Sequence, residues 1–342
     1  MNRNLLCRIV NIFLLSFLIF ISACEVDRST IGSVDQQQYS YNYISDFEFE
    51  FNRYFFIDTY YVERYEKGFS EDLQYWTYEP SSLIKELNVY KSAGYSNNDA
   101  RIGVATIPSN LEEFYNLSDL HGIIKKSGEI ELGKFVPLKE GKDYWCNYGF
   151  GYFYLNYPKR IKDTEILAVA YRTDNDTVGT LVSMMIDKPQ PLVLRLVKSQ
   201  AMRVSHIHIW PLMMRNVYSL CDTSIVRDGF NIKIRKKDNH STIQEIEPRK
   251  RFTHLLGLDV VDSNGNITNN GDGQVDDNYN LLDLDKGVLI FPGLNPFNPL
   301  PESRFQLADI NRVGIYDFNQ WPNNPPGIDS SKFEIVVQYI KR

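Results

Sequence analysis

DFEFEFNRYFFID, residues 46–58, alternates aromatic and acidic side chains before it runs into a second aromatic group. Successive side chains of a strand point to opposite faces, so Phe47, Phe49 and Phe51 share one face and the intervening acids the other. Runs of similar character follow along the chain: LIKELNVYKSA at 83–93, RIGVATIP at 101–108, EILAVAYRT at 165–173 and PLVLRLVKS at 191–199. Later come GFNIKIRKK at 229–237, GVLIFPG at 287–293 and KFEIVVQYIKR at 332–342. Short strands separated by turn residues predict a mainly β protein. The expected architecture is one or two antiparallel β-sandwich-like domains with minor helices. The 22 tyrosines and 20 phenylalanines agree, because aromatic residues favour strands.

Two stretches break the pattern. In WPLMMRNVYSL, residues 210–220, Trp210, Met213, Met214, Val217 and Tyr218 fall at i, i+3, i+4, i+7 and i+8. That spacing predicts a short helix near 211–221, with Pro211 in its first turn and Arg215, Asn216 and Ser219 toward water. The second is SNLEEFYNLSDLHGIIKK at 109–126, where Ser109 or Asn110 would cap a helix and Glu112 and Glu113 would sit near its positive end.

The chain has 342 residues, 43% apolar and 23% charged, with a formal net charge of −6, which fits a packed globular protein. The basic runs RKKDNH and EPRKR are short, and no Lys/Arg stripe carries interleaved aromatics, so nucleic acid is not an expected partner. At the N-terminus, Arg3 and Arg8 precede the apolar run IVNIFLLSFLIFI, which ends in small residues and Cys24. Charged, apolar and small-residue parts in that order predict a secretory signal over residues 1–23. ISAC resembles the lipobox of bacterial lipoproteins, which implies diacylglycerol on the Cys24 sulfur, and acyl chains of that kind hold a protein to a membrane. Residues 24–45, polar and without apolar period, are expected to be a tether. The folded body is then expected as a β-rich domain over 46–185 and a second over 186–342, holding Cys146 and Cys221, whose pairing the sequence leaves open.

The succession LRLVKS, WPLMMRNVYSL, DGFNIKI, LLGLDVVDSNGN, DGQVD and GVLIFPGLNPF resembles a repeated segment of the SprA family. Upstream, ELNVYKSAGYSNNDARIGVA and FVPLKEGKDYWCNYGFGYFYLNYPKRIKDTEILAVAY resemble that family's preceding segment in the same order, so the likeness covers most of residues 80–300. SprA proteins are the giant outer-membrane translocons of type IX secretion and gliding. The resemblance implies an accessory β-rich module of the outer membrane, with a secretion translocon, outer-membrane barrel or other envelope protein as partner. Those proteins are several times longer and contain a transmembrane barrel, so transport itself is not carried over.

For chemistry, the acidic stretch GLDVVDSNGNITNNGDGQVDDNYN offers oxygen ligands of the kind hard cations prefer. Asn270, Asp272, Gly273 and Asp276 are similar to Ca²⁺ loops of the dockerin and thrombospondin-repeat type, and Asp262, Asn264, Asn266 and Asp277 add oxygens. The competing expectation is a solvated Asn/Gly/Asp turn. His206 and His208 would share one side of a strand, a spacing zinc could use, but no third ligand is close in sequence. No G-x-S-x-G elbow, no H-E-x-x-H helix and no framed carboxylate pair is present. The expected function is therefore non-enzymatic: a lipid-anchored envelope protein, with a surface glycan-binding lipoprotein as the alternative.

Overall fold

β-Branched and aromatic runs carry over into hydrogen-bonded strands at most stretches named above, but not over DFEFEF. Residues 46–53 are turns and coil, Glu50 is buried with Phe49 and Phe51 because it pairs with Arg53, and only Tyr54–Phe56 form a strand. The computed structural model describes residues 39–71, 83–94, 97–156, 160–185, 190–221, 224–237, 242–243, 245–246, 250–268, 271–276, 281–297 and 332–341. In chain order these form β1 (Ser40–Ser45), β2 (Tyr54–Phe56), α1 (Thr59–Glu71), β3 (Glu86–Ala93), β4 (Arg101–Thr106) and α2 (Leu111–Phe114). Then come β5 (Ile130–Pro137), β6 (Tyr144–Asn147), β7 (Tyr152–Leu155), β8 (Leu167–Arg172), β9 (Thr177–Val178), β10 (Leu192–Lys198) and β11 (Val217–Ser219). The last are β12 (Ile225–Lys237), β13 (Thr242–Ile243), β14 (Glu245–Ile246), β15 (Lys250–Arg251), α3 (Phe252–Leu255), β16 (Leu282–Asp283), β17 (Val288–Ile290) and β18 (Phe333–Lys341). The protein is mainly β.

The central sheet runs β10-β4-β5-β3-β8-β9, and β10 also pairs with β8, so five of its strands close on themselves. All pairs are antiparallel except β10 with β4, where Leu192 faces Gly103. Gly103 is needed there, since a Cβ would lie 2.7 Å from that of Leu192. Every residue of β10 is buried. Leu192, Leu194 and Leu196 join the main core, while Val193 meets Leu111 and Phe114 of α2 on the other side. Strands buried on both faces read as continuous apolar runs, as LVLRLV does.

Among the described residues there are four smaller sheets: β1-β18-β12-β13, β2-β7-β6, β11-β17-β16 and the two-stranded β14-β15. Tyrosines tie separate elements together. Buried Tyr65, Tyr90, Tyr144 and Tyr218 donate their hydroxyls to the carbonyls of Phe291, Thr180, Leu87 and Asp46 at 3.1, 3.0, 3.0 and 2.6 Å. An aromatic body with one polar tip fills core and satisfies a carbonyl at once.

The structure corrects several expectations. Residues 40–45, the end of the expected tether, form β1 against β18, with Tyr41 facing Gln338 and Ile44 facing Ile335. The expected boundary at 185/186 is bridged by the pairing of β10, after it, with β4 and β8, before it, and Tyr39–Arg342 is one compact unit. The residues of 1–38, Cys24 among them, lie outside the described set.

The helix expected near 211–221 is a single 3-10 turn, Trp210–Leu212. Met213 is already extended, bridges Phe55, and is followed by the Met214 N–H donating to the Tyr54 carbonyl at 3.0 Å. Val217–Ser219 then pair with β17. Strand pairing takes the backbone groups a helix would have used. Arg215 and Asn216 point inward rather than to water: Arg215 lies over the Trp210 ring, and Asn216 donates to the Phe291 carbonyl at 2.5 Å.

The helix expected over 109–126 shrinks to a 3-10 turn and the four residues of α2, with no side-chain cap. Ser109 bonds Asn110 instead, at 3.2 Å. The longest helix, α1, was not expected. Asp58 starts it, accepting from Thr59 Oγ1 at 3.1 Å and the Tyr60 N–H at 3.3 Å, and Tyr61, Val62 and Tyr65 give it a buried face.

Candidate functional site

A cleft of about 340 Å³ opens between β2-β7-β6 and the β16–β17 hairpin, within the size range of small-molecule sites. Its aromatic wall follows from strand register. Tyr54 faces Tyr154 across β2 and β7, and their rings stack with centroids 5.0 Å apart. Asn147 faces Tyr152 across β6 and β7 and donates to its hydroxyl at 3.4 Å. Tyr148 lies in the turn between those strands, its hydroxyl on the Glu140 carboxylate at 2.7 Å. The opposite wall carries Asp283 and Lys286, an ion pair, with the Lys286 ammonium 5.7 Å from the Tyr154 ring centroid.

Burial governs the titration of Tyr54, Tyr152 and Cys146 in the cleft. Burial raises the Tyr54 and Tyr152 phenols well above their ordinary value. Burial likewise raises the Cys146 thiol, so at neutral pH it is protonated and a poor nucleophile. Burial alone would lower Lys286, but its bond to Asp283 and the nearby Tyr154 outweigh that and raise it. The cleft thus presents ring faces, phenol hydroxyls, an amide and one paired cation. Such groups hold a polyhydroxylated or aromatic ligand by stacking and hydrogen bonds. The dense tyrosines of DYWCNYGFGYFYLNY were the sequence signal for it, visible only once the strand register is known.

The expected calcium residues separate into two groups. Asp262 closes a local turn, its Oδ1 accepting the N–H groups of Asn264 and Asn266, both at 2.9 Å. These hydrogen bonds, those from Asn266 first, lower the Asp262 pKa. Asp272 and Asp276 instead gather near Asp259, a buried residue the sequence reading passed over. Asp259 accepts the N–H groups of Asp272 and Gly273 at 2.8 and 3.0 Å. Asp276 accepts those of Val260 and Val261 at 2.9 and 3.3 Å. Burial, opposed by these bonds, raises both Asp259 and Asp276. Gly271 is required at this crossing, since a Cβ would fall 1.8 Å from the Asp259 carboxylate. Asn270 and Asp277 lie outside the described residues. Among the described residues no group of three or more His, Cys, Asp or Glu is arranged to hold a metal ion.

His206 and His208 sit in a turn, not on a strand. His206 Nδ1 accepts the Arg203 N–H at 3.3 Å and lies 3.2 Å from Ser199 Oγ, and His208 is exposed. Cys146 and Cys221 are not joined in a disulfide. No described helix is long and apolar enough to cross a membrane. No family model matches the chain, and no curated protein matches it.

Proposed function

We propose that the chain is a non-enzymatic, lipid-anchored protein of the outer membrane that serves type IX secretion, gliding or surface assembly. The observation that carries this reading is the ordered likeness of residues 80–300 to a segment of SprA proteins. It is supported by where those motifs fall: LRLVKS, VYS, FNIKI and VLI supply β10, β11, β12 and β17, so the likeness tracks strands of the core. A module of that kind works by presenting a surface to an envelope partner. Affinity purification of the tagged chain from membranes, with identification of what co-purifies, tests it. Recovery of an outer-membrane barrel of the secretion or gliding apparatus is expected. Recovery of polysaccharide-utilisation proteins in its place counts against it. Anchoring is read separately with a clickable palmitate, which labels wild type and not Cys24→Ser.

A second reading, a surface glycan-binding lipoprotein, is favoured by the tyrosine cleft. Sugars present apolar C–H faces to rings and hydroxyls to amides and phenols. Titration with surface polysaccharide fragments tests this, with Tyr154→Ala expected to abolish any binding seen.

A further inference from the structure

We propose that the outward face of the β1-β18-β12 sheet docks on the phosphate-bearing headgroups of the membrane in which the chain is anchored. The inward face of this sheet, with Ile44, Ile335, Ile234, Val337 and Ile232, belongs to the core. Cross-strand pairing sets the composition of the other face in rows: Tyr41–Gln338–Asn231, Tyr43–Val336–Lys233 and Ser45–Glu334–Arg235, of which Val336 and Ser45 are buried while Tyr41, Tyr43 and Lys233 are exposed. Tyr39, Tyr41 and Tyr43 are 41%, 54% and 57% exposed, two rings at alternate positions of β1 and a third just before it. Soluble surfaces rarely align exposed rings this way, and tyrosine is favoured where an apolar layer meets water.

The rings are held in place. Tyr41 donates to Gln338 Oε1 at 3.1 Å, and Gln338 Nε2 donates to the Gly229 carbonyl at 3.2 Å. Tyr39 lies over Gly229, where a Cβ would meet its ring at 2.5 Å. The edge itself is closed to strand addition at two points: the Tyr43 N–H is taken by Asn42 Oδ1 at 3.0 Å and the Ser45 N–H by Glu48 at 2.6 Å. The face, not the edge, is what β1 offers.

Charge selects the partner. β12 directs Lys233, Arg235 and Lys237 to this side, against Glu334 of β18, which pairs with Lys237 at 3.0 Å. Arg227 and Asp228, in the register shift of β12, cancel formally. Lys233 is exposed, and neither it nor the half-buried Arg235 has an acidic partner of its own among the described residues. A neutral glycan has no use for two unmatched cations, whereas anionic headgroups do. Position agrees. Residues 25–38, between Cys24 and β1, reach at most about 50 Å when fully extended, so this sheet is the part of the body tied most closely to the anchor. In that respect the inference rests on the lipid-anchored reading.

The test uses the full-length chain purified from membranes and placed in phosphatidylcholine vesicles with or without phosphatidylglycerol. Hydroxyl-radical oxidation of Tyr41 and Tyr43 is read by peptide mass, with exposed Tyr60 and Tyr115 as internal references. Oxidation of Tyr41 and Tyr43 should fall several-fold with phosphatidylglycerol alone. That protection should disappear in Lys233→Glu/Arg235→Glu, each cation contributing roughly fivefold to the affinity. Unchanged oxidation overturns the docking surface, and so does equal protection by soluble polysaccharide without vesicles. The intact mass of the same sample reads the acyl group independently. An acylated chain with unprotected tyrosines removes the docking surface and keeps the anchor. A chain without acyl that binds anionic vesicles through this face does the reverse.

Discussion

Lys198 has no exposed surface, yet it carries an ammonium at the end of β10. Its Nζ donates among the carbonyls of Lys162, Asp163, Glu165 and Ser199, at 3.0, 3.2, 2.9 and 3.0 Å. Burial, opposed by Asp163, Glu165 and Glu131, pulls its pKa down to about 8. A lysine whose folded pKa is depressed binds its proton more tightly when unfolded. Stability should therefore rise with pH from about 8 toward 10.5, by on the order of 3 kcal/mol in the limit. Lys198→Met should flatten that rise, and at pH 7 should lose about 1–3 kcal/mol because the carbonyls are orphaned. Urea titrations across this window, wild type against variant, check both. Asp259 makes a parallel case. Asp259→Ala strips acceptors from two N–H groups and should destabilise by about 1–3 kcal/mol. With Asp262, Asp272 and Asp276 each already accepting backbone N–H groups, melting curves in EDTA and in millimolar calcium should coincide. A calcium-dependent rise abolished by Asp272→Ala and Asp276→Ala would instead give the loop a metal. Neither residue's role was legible in the sequence, because carbonyls 162–165 and amides 272–273 approach only through the tertiary fold.

Elements were legible where pattern and burial agree. β3, β4, β8, β10, β17 and β18 all fall within runs whose alternation or β-branched content marks them, and β12 contains its run at 229–237 but starts four residues earlier, at Ile225. WPLMMRNVYSL misled because its apolar residues are buried whichever way they point and its polar Arg215 and Asn216 are buried too, so a helical period was satisfied with no solvent face to set it. α1 was missed because its signal is local and small: Asp58 as cap, then rings at 61 and 65. Asp58 also holds Arg195, fully buried, through a 2.9 Å contact to its Nε. One carboxylate thus starts a helix and neutralises a core cation. Asp58→Ala should destabilise by about 3–5 kcal/mol, far more than the roughly 1 kcal/mol of a lost cap. Pairing it with Arg195→Met should recover most of the difference, because no unmatched charge is left inside. A double-mutant cycle in guanidinium measures the coupling, and simple additivity would show that the pair does not matter. Trp210→Ala, in the turn that replaced the expected helix, should cost about 3–5 kcal/mol as a core truncation.

For the whole molecule, the closed sheet and the shared core remove any seam at 185/186. Calorimetry should show one unfolding transition for the body, and two resolved transitions would restore the expected pair of domains. The mainly β class was readable from alternation, but sheet closure was not, since it depends on β8 dividing one edge between β9 and β10. The pairing of β1 with β18 has a further consequence, in time rather than space. Ser40 meets Tyr339, so the first strand of the body has no neighbour until the last one has been synthesised. Contacts this distant form late and slowly. During synthesis the leading strand of the described body therefore waits unpaired, and a message truncated before codon 333 yields a body that never closes its last sheet.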